Sequence, residues 1–225
     1  MKTGFLFAAA AMLTVSGAAL AADHRVEVLR EGPPAGMLSE AIAQQLSPTG
    51  VKVVRGEKRT VCEIWLCKQW TVKPGFKPNF EVLYPFEPGQ LVGVLRYRRR
   101  GYDFRDQQMS KGVYTLRYGQ QPVDGEHVGT SPTRDFLLMS RADKDTSTKP
   151  VDPKSLQELS AEAAETTHPG LLCMKKVQGN PKPQPTIYHD QGNDWWIATL
   201  RGTAKEGDKA KDLFIDLIVV GHAAE

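Results

Sequence analysis

Residues 112–139, with the sequence GVYTLRYGQQPVDGEHVGTSPTRDFLLM, contain two strand patterns separated by a turn-rich loop. In the first pattern, Thr115 and Arg117 alternate with large apolar or aromatic side chains, as on a strand with one buried face. In the second, residues 136–139 are all apolar, and residues 213–220 are nearly so, which is typical of central strands buried on both faces. The stretch therefore predicts two strands of a sheet joined by a loop rich in ionisable side chains.

Similar strand patterns occur along the rest of the chain. They are rich in Val, Ile, Tyr, Phe and Trp, and clusters of Gly, Pro and Asp separate them. The predicted strands are 25–29, 51–55, 60–72, 80–84, 91–98, 113–118, 135–140, 171–177, 186–189, 195–201 and 213–220. Because few helices intervene, we predict a mainly β protein, an antiparallel β-sandwich of immunoglobulin-like or jelly-roll-like type, with one or two short peripheral helices.

Two segments have helical patterns. Residues 37–46 place apolar side chains at spacings of four, and Pro48 with Gly50 marks the end of this helix. The second helix has Asp152 as its N-cap residue and Pro153 at its first position. We expect both helices to pack against the sheet through short apolar stripes.

Residues 1–21 have the pattern of a secretory signal peptide. Lys2 supplies the positive charge, residues 5–15 are apolar, and small residues mark a cleavage site. The apolar run is shorter than the roughly 20 residues that a membrane-spanning helix needs. We therefore predict cleavage after Ala21 and a periplasmic or secreted location. The mature chain, residues 22–225, is expected to form a single domain without a transmembrane segment.

The charge of the chain is nearly balanced, with 29 basic and 26 acidic residues. This balance gives no general attraction to nucleic acid, which we do not expect as a partner. One local cluster is basic and is interrupted by two tyrosines. It consists of Arg96, Arg98, Arg99, Arg100 and Arg105, with Tyr97 and Tyr102 among them. Such a cluster can bind an anion or stack on a ring, or it can be the solvated end of a strand.

The three cysteines, Cys62, Cys67 and Cys173, allow one disulfide bond in an exported protein. In an unbroken strand, Cys62 and Cys67 point to opposite faces about 16 Å apart, which prevents a bond between them. Cys173 is a partner for either one, and a bulge or turn would reopen the local pairing. Three buried thiols are the alternative.

The loop after the first quoted strand carries a candidate polar site. Its residues are Asp124, Glu126, His127, Arg134 and Asp135. Because carboxylates and imidazoles are common metal ligands, Asp124 and His127 are candidates to bind a metal. His168 or His189 would have to complete that site. No standard catalytic or cofactor-binding motif is present, and we predict no cofactor. The alternative is a structural loop in which Asp135 pairs with a nearby arginine.

Trp195 and Trp196 form a second candidate site. Because neighbouring residues of a strand face opposite sides, one of the two should point outward. An outward tryptophan can stack on a sugar ring or on a peptide proline. Packing within the protein is the other interpretation.

Three blocks of the sequence carry a resemblance. They are residues 61–70 (VCEIWLCKQW), residues 91–139 and residues 168–174 (HPGLLCM). They resemble an uncharacterised family of exported bacterial proteins, seen especially in planctomycete-like bacteria, and residues 112–139 are the most specific part. The resemblance implies an exported protein, and it implies no catalytic residue because no activity is established for that family.

These observations lead to one main functional hypothesis and two alternatives. The main hypothesis is an exported, non-catalytic binding protein or cell-envelope component, whose partner is a small molecule, a glycan or an envelope protein. The first alternative is a metal-dependent or hydrolytic enzyme that uses Asp124, His127 and Asp135, with Arg134 or Arg105 orienting an anionic substrate. The second is a carbohydrate-binding module that uses an exposed tryptophan.

Overall fold

The computed structural model describes residues 23–123 and 131–223. Within these ranges the chain forms two helices, α1 (Glu40–Gln45) and α2 (Pro153–Ala164). The strands are β1 (His24–Leu29), β2 (Gly50–Arg55), β3 (Arg59–Leu66), β4 (Trp70–Thr71), β5 (Leu91–Tyr97), β6 (Gly101–Tyr102), β7 (Gln108–Met109), β8 (Gly112–Gln120), β9 (Asp135–Arg141), β10 (Leu171–Lys175), β11 (Thr186–Asp190), β12 (Trp195–Glu206) and β13 (Lys209–Val220). The protein is mainly β with few helices, as predicted.

Most of the strands belong to one large sheet. Their order is β1-β2-β3-β5-β8-β9-β10-β13-β12-β11, and all neighbours in this order are antiparallel. The short β4 pairs with β12 in parallel, and β6 with β7 forms a separate hairpin. The sheet curls, so that its outermost strands β1 and β11 lie next to each other. The curl therefore brings together residues from opposite ends of the strand order.

The two strands with unbroken apolar runs are interior strands, as predicted. β9 lies between β8 and β10, and β13 lies between β10 and β12. Because both faces of an interior strand can be covered by other parts of the chain, apolar residues on both faces are stabilising there. Phe136 and Ile218 therefore pack in one buried cluster, and Leu137 and Leu217 pack in another.

The larger apolar cluster contains Trp70, which joins strands that are distant in the sheet. Its indole Nε1 donates a hydrogen bond to the carbonyl of Val92 on β5, at 2.9 Å. Its ring also lies against Gly202 on β12, where an added Cβ would come within 2.1 Å of the indole. Position 202 must therefore be a glycine for the indole to reach this depth.

The outer face of β8 is buried, which the alternating pattern did not predict. Arg117 on this face has no exposed surface and lies beneath the segment that follows β9. Its Nε and Nη2 donate to the carboxylate of Asp145, at 2.5 and 2.8 Å. Its Nη1 donates to the carbonyl oxygens of Gly89 and Lys149, and Nη2 also donates to that of Ser147. All five N–H donors of the guanidinium therefore have acceptors.

Residues 80–84 do not form the predicted strand. Phe80 is 89% exposed, and the side chain of Asn79 accepts hydrogen bonds from the amides of Glu81 and Val82. This side-chain turn occupies the backbone donors that a strand would offer to its neighbour. The apolar residues at this position gave a misleading signal because a local turn competes with sheet pairing.

Both predicted helices are present. The carboxylate of Asp152 accepts a hydrogen bond from the Ser155 amide at 3.0 Å, which confirms the predicted N-cap of α2. α1 begins later than predicted because Ser39 is its N-cap, with Oγ accepting from the Ile42 amide. Ile42 is fully buried, so α1 packs against the core.

The three cysteines are free thiols, and all are buried. This is one of the two arrangements that the sequence allowed. Desolvation raises the pKa of Cys62 and of Cys67 to about 12, and that of Cys173 to about 11. The thiols are therefore protonated at neutral pH and pack as small apolar side chains.

Candidate functional site

The predicted polar loop is only partly described. Asp124, Glu126 and His127 lie outside the described residues. Arg134 and Asp135 are described, and they have separate partners. Arg134 donates from Nε to a backbone carbonyl and forms an ion pair of 3.6 Å with Glu81. Both partners of Arg134 therefore belong to the protein itself and lie near its surface.

Asp135 is part of the hydrogen-bonding network that holds the fold together, and it is not available to a ligand. It is fully buried, and its carboxylate accepts hydrogen bonds from the amides of Leu83 and Tyr84, at 2.9 and 3.3 Å. The hydroxyl of Tyr118 also donates to it. Desolvation raises the pKa of Asp135, although these donors favour its charged form. The proposed pairing with a neighbouring arginine is wrong, because the carboxylate instead fixes the irregular segment before β5.

The predicted metal site stays a prediction, because Asp124 and His127 lie outside the described residues and only its candidate histidines can be placed. His168 is exposed before β10, and His189 on β11 binds Asp194, with Nε2 to Oδ1 at 2.8 Å. Within residues 23–123 and 131–223, no group of three or more His, Cys, Asp or Glu side chains is arranged to hold a metal ion.

The adjacent tryptophans face opposite sides, as predicted. Trp195 is buried, and its Nε1 donates to the carbonyl of His222 at 2.7 Å, so it cannot stack on a ligand. Trp196 is partly exposed, and the His189 ring stacks on it with a centroid distance of 4.4 Å. Trp196 is therefore the tryptophan that remains available to a ligand, and part of its ring surface is already covered.

A pocket of about 380 Å³ opens where the two ends of the curled sheet meet. Leu172, Ile218 and Val219 are among its lining residues, and their side chains are buried in the two apolar clusters of the core. Its other lining residues are ionisable or aromatic. They include His24, Arg55, Arg59, Arg99, Arg100, Tyr102, Asp103, Asp106, Asp194, Trp196 and His222. Its volume lies near the lower end of the roughly 300–1,000 Å³ that is typical of small-ligand pockets.

Three basic residues form a row along one wall of this pocket. His24 on β1 is paired with Arg55 on β2, and Arg55 is paired with Arg59 on β3. Residues paired directly across antiparallel strands share a face, and the like charges of Arg55 and Arg59 repel each other in that position. A bound anion would remove this repulsion.

The basic cluster recognised in the sequence divides between two environments. Arg96 and Arg98 bind the buried carboxylate of Glu63 through their Nε atoms, at 2.5 and 2.8 Å. Arg99 and Arg100 are exposed, line the pocket, and have no ion pair to any carboxylate of the described residues. The first two arginines are therefore structural, and the second two remain free for a ligand.

The aspartates that line the pocket form no ion pair with these arginines. Asp103 accepts four hydrogen bonds, from the Arg105, Gln107 and Leu171 amides and from the Gln107 side chain, and so closes the β6–β7 hairpin. Asp194 binds His189, and Asp106 is exposed to solvent. Four arginines thus remain without a carboxylate partner among the described residues that line the pocket.

His24 is unusual among the polar side chains of the pocket. It is only 8% exposed, and neither of its ring nitrogens has a hydrogen-bond partner among the described residues. Its ring lies 4.6 Å from that of Trp196. Desolvation lowers the pKa of His24 to about 4, with the charges of Arg55 and His189 contributing in the same direction. The imidazole is therefore neutral at physiological pH.

The low pKa of His24 predicts a loss of stability in acid. Its ordinary pKa of 6.5 applies to the unfolded chain, so between about pH 6.5 and pH 4 only the unfolded state takes up the proton. We expect this to remove about 1–2 kcal/mol of stability, less than the full shift implies because Arg55 is exposed to solvent. Urea unfolding of the wild type and of His24→Phe at pH 7.5 and 4.5 measures how much stability each protein loses in acid. The contributions of all other titrating groups are common to both proteins and cancel in the comparison. Equal pH dependence in the two proteins would contradict the assignment.

Sequence reasoning found part of this pocket. It identified the basic cluster and Trp196, but it missed His24, Arg55 and Arg59. The pairs that form their row join residues 31 and 4 positions apart in the chain, and only the register of β1, β2 and β3 aligns them. The group of charged residues around the turn between β2 and β3 was the one signal available.

Chemically, the pocket is suited to binding a negatively charged group. Guanidinium groups bind carboxylates and phosphates through paired hydrogen bonds, and the exposed parts of the Trp196 and Tyr102 rings offer contacts for the rest of an organic molecule.

The structure and the comparisons with known proteins add two findings. Among the helices of the described residues, none is long and apolar enough to cross a membrane. No protein-family model, curated protein or solved structure matches the chain. The geometry of the pocket is therefore the basis for inferring a function.

Proposed function

We propose that this chain is an exported, non-catalytic binding protein or envelope component that takes a small negatively charged ligand into the pocket between β1 and β12. The observation that carries the proposal is the group of four arginines around the pocket without carboxylate partners among the described residues. Two of them, Arg55 and Arg59, lie directly opposite each other. A negatively charged ligand compensates charges that the protein itself leaves unpaired.

The export part of this proposal is supported by the pattern of residues 1–21. The finer description of the fold as an antiparallel β-sandwich of immunoglobulin-like or jelly-roll-like type is a proposal of the same kind. It is supported by Trp70, which contacts β5 and β12 across the core.

The two alternative functions have weaker support. Asp135, one residue of the hydrolytic alternative, is occupied by backbone amides and a tyrosine hydroxyl. For a glycan, the natural stacking surface is the face of Trp196, and His189 already lies on that ring. Charge recognition by the arginines is the better supported mode of binding.

Removal of the paired arginines is expected to weaken anion binding. The double variant Arg55→Gln/Arg59→Gln should bind benzoate or inorganic phosphate about tenfold more weakly in calorimetric titrations at low salt, because charge-assisted hydrogen bonds are lost. Wild-type affinity should also fall as salt increases, since the arginines are exposed.

A matched control removes two positive charges elsewhere. Lys58 and Arg105 are exposed, lie close in sequence to the pocket arginines, and do not line the pocket. The variant Lys58→Gln/Arg105→Gln should retain wild-type affinity. An equal loss of affinity in both double variants, or the absence of binding of either anion to the wild type, would overturn the proposal.

A further inference from the structure

We infer that the ligand of this pocket is a phosphate monoester whose body is an aromatic ring. The inference rests on the proposed function, because it concerns the same pocket, and it names the chemical class of the ligand. The four arginines of the wall bind the phosphate, and the ring of Tyr102 contacts the ring of the ligand. All of these side chains are exposed in the ligand-free protein.

The first argument is that the four arginines lie at one end of three neighbouring strands. Arg55 is the last residue of β2, and Arg59 is the first residue of β3. Because β3 and β5 are antiparallel, the end of β5, which Arg99 and Arg100 closely follow, lies where β3 begins. The fold thus places four guanidinium groups around one opening, and all four line the same pocket.

The second argument concerns the hydrogen-bonding capacity of these side chains. Each guanidinium has five N–H donors, and within residues 23–123 and 131–223 those of the four arginines have no acceptor. A carboxylate offers two acceptor oxygens, whereas a phosphate monoester offers three and carries close to two negative charges at neutral pH. A phosphate therefore uses more of the free donors than a carboxylate does.

The third argument is the choice of arginine over lysine. The chain contains 16 lysines and 13 arginines, yet no lysine is among the described residues that line the pocket. A lysine ammonium attracts anions as a point charge, whereas the planar guanidinium fork matches the oxygens of a phosphate through two parallel hydrogen bonds. Clusters of arginine are a recurring means of recognising phosphate esters in proteins.

The fourth argument concerns the body of the ligand. Tyr102 lies two residues after Arg100, lines the pocket and is 54% exposed. Its backbone carbonyl accepts a hydrogen bond from the Tyr97 hydroxyl at 2.9 Å, so its backbone is held in place while its ring stays accessible. An aromatic ring of a ligand can pack against it and remove apolar surface from water. Inorganic phosphate would leave this ring uncovered.

The experiment compares phenyl phosphate with phenyl sulfate and methyl phosphate by calorimetric titration at pH 7.5. Phenyl sulfate has nearly the same shape with one negative charge fewer, and methyl phosphate lacks the ring. We expect the wild type to bind phenyl phosphate about tenfold more tightly than phenyl sulfate and about fivefold more tightly than methyl phosphate. The aspartates of the lining oppose a second charge on the ligand, so the sulfate comparison measures whether the arginines dominate.

Variants of exposed residues test the two parts of the wall. Arg99→Gln/Arg100→Gln should reduce the preference for phenyl phosphate over phenyl sulfate to below about threefold. Tyr102→Ser should lose the preference for phenyl phosphate over methyl phosphate, whereas Tyr102→Phe, which keeps the ring, should retain it. Phe80→Ser is the matched control, because it removes a ring that is 89% exposed and does not line the pocket, and it should change neither preference.

The outcomes separate this inference from the proposed function. Equal affinity of the wild type for phenyl phosphate and phenyl sulfate would overturn the phosphate assignment, as would an unchanged preference in Arg99→Gln/Arg100→Gln. Equal affinity for phenyl phosphate and methyl phosphate would overturn the aromatic body. Each of these results leaves the proposed function intact, whereas binding of none of these anions, nor of benzoate or inorganic phosphate, would overturn both.

Discussion

Replacement of Arg117 by methionine is expected to lower the free energy of unfolding by about 3–5 kcal/mol, because it leaves the carboxylate of Asp145 buried without its counter-ion. The guanidinium and the carboxylate are both inaccessible to solvent. In the wild type, the carbonyl oxygens of Gly89, Lys149 and Ser147 accept hydrogen bonds from Arg117, and the variant leaves them without a donor. Urea unfolding followed by tryptophan fluorescence measures the loss.

Two further variants show whether the loss arises from the pair. Arg117→Lys keeps the charge but supplies only three donors in place of five, so it should also destabilise the protein, though less than Arg117→Met. The double variant Arg117→Met/Asp145→Leu should be more stable than Arg117→Met alone, because no buried charge is left unpaired. A loss below about 1 kcal/mol for Arg117→Met would contradict the structural role assigned to this residue.

The second large effect is expected at Asp135. The change to alanine should lower the free energy of unfolding by about 3 kcal/mol, because it leaves the amides of Leu83 and Tyr84 and the Tyr118 hydroxyl without their acceptor. Hydrogen exchange should accelerate at those two amides before the rest of the protein is affected.

Two matched variants accompany this measurement. Asp135→Asn keeps one acceptor oxygen and should lose less stability than Asp135→Ala. Arg134→Gln removes the neighbouring charge, whose ion pair is partly exposed, and should change stability by less than about 0.5 kcal/mol. Unchanged exchange at Leu83 and Tyr84 in Asp135→Ala would show that the carboxylate does not fix this segment.

The sequence predicted the regular elements well where local patterns and tertiary packing agree. The strands β8, β9 and β13, with the apolar runs of the last two, and the Asp152 cap of α2 are all present. The prediction failed at residues 80–84, where an asparagine side chain competes for backbone donors. It also failed for the outer face of β8, because a segment distant in sequence covers Arg117.

The candidate site, too, was predictable where a local pattern was enough and unpredictable where distant segments meet. The sequence could mark Arg99, Arg100 and Trp196 as residues with the right chemistry, because that property belongs to each residue type. It could not separate Arg99 and Arg100 from Arg96 and Arg98, since the difference lies in the position of Glu63 on another strand. It gave no reason to select His24, whose neutrality and lack of partners arise from burial.

The sequence by itself determined that this protein is mainly β, which strands are interior, and where its second helix begins. These features follow from side-chain periodicity and local capping, which act over a few residues. Only the tertiary structure decided which ionisable residues remain free. The curl of the sheet sets β1 beside β11 and brings His24 on β1 against Trp196 on β12, and strand register aligns His24, Arg55 and Arg59. Burial and pairing between distant segments, which no local pattern encodes, thus separate the structural charges from those that face the pocket.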